Sequence, residues 1–120
     1  MKPYQDARVE GEKLAKQYAE LEEADQVDFY NGLEGYYSVL GHNKKQEDIA
    51  VLIEKNDHKI YVYQLDKGIS QDKAATISRE KGASDIDKVT FGRYQDKPIW
   101  EVKSGNHYYL IDFETGAVIQ

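Results

Sequence analysis

The sequence has no cysteine, a single tryptophan and only 3 phenylalanines in 120 residues. Without cysteine, disulfides and thiolate metal sites are excluded, while the redox compartment stays open. No run of about 18 apolar residues occurs, so no stretch of the sequence crosses a bilayer as a helix. Positive charge is scarce as well. The net charge is −6, and residues 1–68 carry most of it, with 14 acidic against 9 basic side chains. Residues 69–120 hold 8 acidic and 7 basic, so neither half offers the basic stripe that nucleic acid requires. What is abundant is tyrosine, with 10 copies. Tyr has an apolar ring and a wet hydroxyl, which suits strands with one face near solvent or a recognition surface. Hydrophobic residues at 40% and charged residues at 32% fit a globular chain, long enough for one ordinary domain or two very small ones.

Along the chain, Ala7, Gly11, Leu14, Tyr18 and Leu21 fall at steps of four and three, which predicts a helix over residues 5–23. The acidic cluster Glu20, Glu22, Glu23, Asp25 and Asp28 then reads as its solvated end, and its spacing is not that of a calcium loop. A second helix starts in "GISQDKAATISREKG", with Ser70 as N-cap, Asp72 in the first turn and Gly82 as a left-handed stop. Strand-like segments follow each helix: 27–31, 35–40, 49–55 and 59–65, then 89–94, 98–103, 107–113 and 117–120. Their tight turns imply antiparallel pairing, with Gly32 and Gly35 of "GLEG" expected at positive φ.

The halves align. "VDFYNGLEGYYSV" matches "VTFGRYQDKPIWEV" with one extra residue in the second turn, and "LIEKNDHKIYV" matches "LIDFETGAVIQ" without a gap. Val27 corresponds to Val89, Phe29 to Phe91, Tyr37 to Trp100, Ile53 to Ile111 and Ile60 to Val118. A tandem duplication of helix plus strands is expected, with units at residues 1–68 and 69–120. Residues 41–48 form the main difference, standing where the second half has the short turn 104–106. Leu14, Phe29, Ile53, Ile77, Val89, Phe91 and Ile111 are the expected core.

Ile69–Ser70 opening an Ala-containing helix, the strand Trp100–Glu101–Val102, and Asp112, Thr115, Gly116 and Val118 in the closing hairpin resemble the PepSY domain family. The resemblance covers residues 69–120, and the first half through the internal repeat. The whole arrangement is similar to YpmB-type proteins of Gram-positive bacteria. It implies an α+β fold, with a cystatin/monellin-like unit of one helix on an antiparallel sheet present twice. It also implies a binding or regulatory domain outside the cytoplasm, inhibiting or regulating a peptidase. The Gln-x-Val-x-Gly hairpin of cystatins is absent, so cystatin-style inhibition is not implied. A structural interaction module of a cell-envelope assembly, with no peptidase, is the other reading.

No enzyme is expected. Ser78–Arg–Glu–Lys81, Ser104–Gly–Asn106 and Glu114–Thr–Gly116 mimic the motif order of penicillin-recognising enzymes, but Glu stands where Lys belongs. His42, His58 and His107 have no His or Cys at ligand spacing, so neither a metal nor a cofactor is expected. Glu101 and Asp112 are a candidate cross-strand carboxylate pair. A protein or peptide partner is expected to meet Tyr36, Tyr61, Tyr63, Trp100 and Tyr108 on a sheet face, or His42, Lys44 and Lys45 in the 41–48 loop. The opening "MKPYQDARVEGEKLAKQY" is helix-like almost at once. The natural chain is therefore expected to continue upstream into one apolar anchor helix of about 20 residues.

Overall fold

The computed structural model describes residues 3–119, with side chains from Val9 onward. The chain divides into two compact units, Met1–Leu65 and Asp66–Gln120. Each is α+β, with antiparallel strands following a helix.

In the first unit, α1 (Pro3–Tyr18) precedes β1 (Leu21–Asn31), β2 (Gly35–Asn43), β3 (Asp48–Glu54) and β4 (Ile60–Gln64), which pair in chain order. Alternation along the strands sends Val27, Val39, Ile49, Val51 and Ile53 into one buried cluster with Ala15 and Leu21. Gly11 lets the helix settle on β2, since a Cβ there would stand 3.1 Å from the Tyr37 Cβ. The expected helix over 5–23 is too long. It stops at Tyr18, because Glu20 takes φ 57, the left-handed conformation that usually falls to glycine. Leu21 is buried as the first residue of β1, and Tyr18 is exposed. Ala7 lies outside the described side chains. Of the acidic cluster, Glu22, Glu23, Asp25 and Asp28 lie on β1, where register shifts mark two irregularities, and not on a helix end.

In the second unit, α2 (Gln71–Glu80) precedes β5 (Lys88–Tyr94), β6 (Lys97–Ser104) and β7 (His107–Asp112). Ser70 caps the helix, its side chain accepting from the Lys73 N–H at 3.0 Å. The core is aromatic: the Phe91 ring lies 5.0 Å from Trp100 and 5.2 Å from Phe113, both edge-on. Trp100 Nε1 donates to the Ile69 carbonyl at 3.0 Å, so the buried indole carries no unpaired donor. The strand expected over 117–120 is reduced to one bridge, Ile111 to Val118, and Gln120 lies outside the described residues.

The registers of the two sheets correspond. Phe29 pairs with Tyr37, Tyr37 with Ile53 and Ile53 with Ile60. Phe91 pairs with Trp100, Trp100 with Ile111 and Ile111 with Val118. The turns after β3 and β7 share their bonds: Glu54 N to Lys59 O and His58 N to Glu54 O in one, Asp112 N to Ala117 O and Gly116 N to Asp112 O in the other, all 2.8 Å. Side chains differ where Phe113 sits against Phe91. In the first unit Lys55 takes that place, its Nζ 5.5 Å from the Phe29 ring centre. Phe29 is consequently 39% exposed, against the expectation of a core residue, while Phe91 is 0% exposed. Ile53, Val89 and Ile111 are buried, and Leu14 and Ile77 are half-buried.

The two-residue turn between β5 and β6 places Gln95 at φ 50 and Asp96 at φ 66. Two side chains thus occupy a hairpin turn that favours Asn-Gly. Asp96→Gly is expected to stabilise the fold by about 1 kcal/mol, the order of the left-handed penalty. Its ion pair with Arg93, 3.4 Å and 92% exposed on the Asp side, contributes little in return. Chemical denaturation at neutral pH checks this.

Candidate functional site

On β2, alternation aligns Tyr36, Ser38, Leu40 and His42 on the face opposite the α1 core. Ala50, Leu52 and Glu54 of β3 and Tyr61 and Tyr63 of β4 share that face. Tyr36 sits 6.4 Å from the Tyr30 ring and 6.3 Å from Tyr61. It is only 4% exposed, so it is packing rather than contact surface. Trp100 is likewise withdrawn at 2% exposed, among the aromatic rings of the second core. Both were expected to meet a partner; their large apolar rings are instead taken up by burial. Tyr61 and Tyr63 are half-buried. Tyr108, opposite Lys103 on β7, is 54% exposed and lies on the other face of its sheet from Trp100.

The segment 41–48 is less of a loop than expected. Gly41, His42 and Asn43 belong to β2 and Asp48 to β3, and His42 pairs with Asp48. Only residues 44–47 turn. Asn43 locks them: its Oδ1 accepts from the Lys45 N–H at 2.9 Å and the Glu47 N–H at 3.0 Å. Its Nδ2 donates to Glu47 Oε1 at 2.9 Å, and Gln64 Nε2 donates to Glu47 Oε2 at 3.3 Å. The result is an ordered hairpin end with Lys44 and Lys45 exposed on it and His42 half-buried beneath.

Other candidates are structural. Ser78 is 0% exposed and its hydroxyl donates to the Ala74 carbonyl at 3.0 Å, an ordinary mid-helix bond. Glu101 faces Leu110, not Asp112. Asp112 Oδ1 accepts from the N–H groups of Glu114 and Thr115, which places it in a turn. Burial raises the Glu101 carboxyl above its ordinary range, and Lys88 pulls it partly back. Gly32 and Gly35 do not have positive φ. They make room for rings, since a Cβ would fall 2.6 Å from Tyr30 and 2.8 Å from Phe29. Among the described residues no cluster of three His, Cys, Asp or Glu could hold a metal, and no helix is long and apolar enough to cross a membrane.

One group went unread in the sequence. Glu54 is 8% exposed at the end of β3, and its carboxyl is held above the ordinary range. Burial is the main cause, followed by Asp57 and then Glu34, against the opposing pull of Lys59. The available signal was the Glu-x-x-Asp spacing across a turn, aligned with Asp112-x-x-Thr115.

The family described as "Cell wall elongation regulator TseB-like domain" matches residues 10–54, from α1 to the end of β3. The "Probable cell wall elongation regulator TseB" of Bacillus subtilis (strain 168) is 34% identical over 113 residues, covering 88% of this chain and 70% of that protein. The chain belongs to the TseB-like family. The solved structure of YpmB protein from Bacillus subtilis matches at a TM-score of 0.77 and 30% identity, covering 100% of this chain and 96% of that one. The α+β architecture is therefore shared across this TseB-like chain, including the second unit beyond the family match.

Proposed function

We propose that this TseB-like chain is a non-catalytic regulatory module, acting outside the cytoplasm by binding a protein of the cell-wall elongation machinery. The observation that carries the reading is the 34% identity over 88% of the chain to a protein named as a regulator of wall elongation. Two cystatin-like, PepSY-type units arisen by duplication are part of the proposal, supported by the matching registers and turn bonds. Regulation of a peptidase is the narrower version of it. The relative's name speaks of elongation, which favours an assembly partner. An anchor in the natural chain would confine the module near that partner and raise its effective concentration.

The contact surface in this reading is the Asn43-locked hairpin end with Lys44, Lys45 and His42. Tyr63 on β4 lies across β3 from β2, and Tyr108 forms a separate exposed contact on the second unit. A fixed turn carrying two lysines loses little entropy on binding and attracts acidic groups from a distance. The test is a hybrid relative in Bacillus subtilis with residues 1–120 in place of the matched 113-residue region. It is expected to restore elongation in cells lacking the relative. Lys44→Glu with Lys45→Glu should abolish rescue and crosslinked partner capture while leaving the melting temperature unchanged. Full rescue by the charge-reversed hybrid would remove this turn from the partner surface. A captured wall-synthesis protein supports the assembly reading, and a captured peptidase the narrower one.

A further inference from the structure

The first sheet has two outer strands, β1 and β4, and they are guarded differently. β1 carries Glu22, Glu23, Asp25 and Asp28, and its register against β2 breaks twice. Charges and bulges of this kind keep a strand edge from pairing with another chain. β4 reads Ile-Tyr-Val-Tyr-Gln, with no charge, no proline and an unbroken register against β3. Its β-branched and aromatic residues are the types that favour strands. The Glu54 N–H donates to the Lys59 carbonyl at 2.8 Å, so Glu54 and Lys59 are a hydrogen-bonded pair. Alternation from that pair directs the backbone groups of Tyr61 and Tyr63 at β3, and those of Ile60, Val62 and Gln64 away from it. Among the described residues, β3 is the one strand paired with β4. Val62 lies on the α1 face of the sheet, opposite the buried Val51, and is 48% exposed.

We propose that two copies of this chain pair through β4, antiparallel about a two-fold axis at Val62. Such an axis sets Val62 against Val62 of the second copy, Tyr61 against Tyr63, and Ile60 against Gln64. The strand is self-complementary in that register in backbone, side chains and charge. The residues whose backbone groups face outward, Ile60, Val62 and Gln64, fall opposite one another, so each such pair exchanges both N–H···O bonds. Tyr-Val-Tyr is symmetric about Val62, so ring meets ring on one face and the two exposed Val62 side chains cover each other on the other. Asp57 and Lys59 precede β4, Asp66 and Lys67 follow it, and all four are exposed. Reversing one strand against the other brings minus toward plus at both ends. A foreign strand would meet the same outward backbone groups but would not match this symmetry. The pairing joins two four-stranded sheets into one, through a patch that is the same on both copies. One short strand pair buries less than the about 1,200–2,000 Å² of a standard interface, so the dimer forms at high local concentration.

The test is sedimentation of the full chain from micromolar to millimolar concentration, together with single-cysteine variants, since the chain has no cysteine of its own. A reversible monomer–dimer equilibrium is expected. Val62→Cys places two thiols at a hydrogen-bonded pair, where Cα atoms stand about 5.5 Å apart, within disulfide reach. Under mild oxidation it should crosslink about tenfold faster than Tyr108→Cys, a similarly exposed position on the second unit. Val62→Lys sets two ammonium groups face to face and should weaken dimerisation about tenfold or more, with the melting temperature of the monomer unchanged. Val62→Pro removes an outward N–H and serves if the lysine variant does not fold. A chain that stays monomeric at millimolar concentration, equal crosslinking at the two cysteines, or a dimer indifferent to the Val62 variants overturns the proposal. Protection of the Val62 amide only on adding a wall-synthesis protein, with no dimer in its absence, assigns the edge to a foreign strand and overturns it too.

Discussion

Phe91→Ala is expected to cost about 3–5 kcal/mol, the range for removing a core aromatic. The ring is 0% exposed and touches both Trp100 and Phe113 edge-on, so truncation leaves a cavity walled by two large rings that cannot collapse into it. Phe29→Ala, at the matching register position of the first sheet, should cost far less. That ring is 39% exposed, and it is held mainly by its edge-on packing with Tyr37 and by the Lys55 ammonium above it. A cation over an exposed ring contributes about 0.5–1 kcal/mol. Urea unfolding of the two variants side by side measures the contrast. Equal losses would mean that the two positions are packed alike.

Gly41→Ala should be a severely damaging one-atom change. A Cβ at Gly41 would stand 2.0 Å from the Glu23 carbonyl oxygen and 3.0 Å from Leu21 Cδ1. The oxygen is backbone in a strand already irregular on both sides of the Ala24–Gly41 pair, so it cannot rotate aside as a side chain would. Overpacking of this kind costs about 1–3 kcal/mol, and a backbone clash belongs at or above the upper end. Relief requires β1 to move away, which breaks the pairing of Leu21, Glu23 and Ala24 with β2. Melting should fall, and amide protection over residues 21–24 should be lost first. Gly105→Ala is the control. Its φ of 60 is left-handed, but open space surrounds it, so it carries only the conformational penalty of about 1–2 kcal/mol. A Gly41→Ala chain that melts like wild type would disprove the close approach.

Seven of the eight expected strands, their antiparallel pairing with chain neighbours and the start of α2 were legible because they depend on local chemistry. Period-two alternation, Gly and polar turns, and a serine before an acidic first turn act over a few residues. The alignment of "LIEKNDHKIYV" with "LIDFETGAVIQ" anticipated two turns with matching backbone bonds. The stop of α1 was not legible, because it rests on Glu20 adopting a left-handed conformation without the glycine that signals one. Nor was the accessibility of the aromatic rings. Alternation says which residues share a face of a sheet, but not how deeply each is covered. Tyr36 and Trp100 were therefore indistinguishable from Tyr108 in the sequence, and only packing separates 4% and 2% exposure from 54%. The same holds for Phe29 and Phe91. Identical residues on equivalent strands differ in burial because one residue elsewhere in the chain, Lys55 in place of Phe113, fills or leaves open the space above the ring. Pairing follows from local pattern, whereas burial depends on neighbours brought together from distant positions.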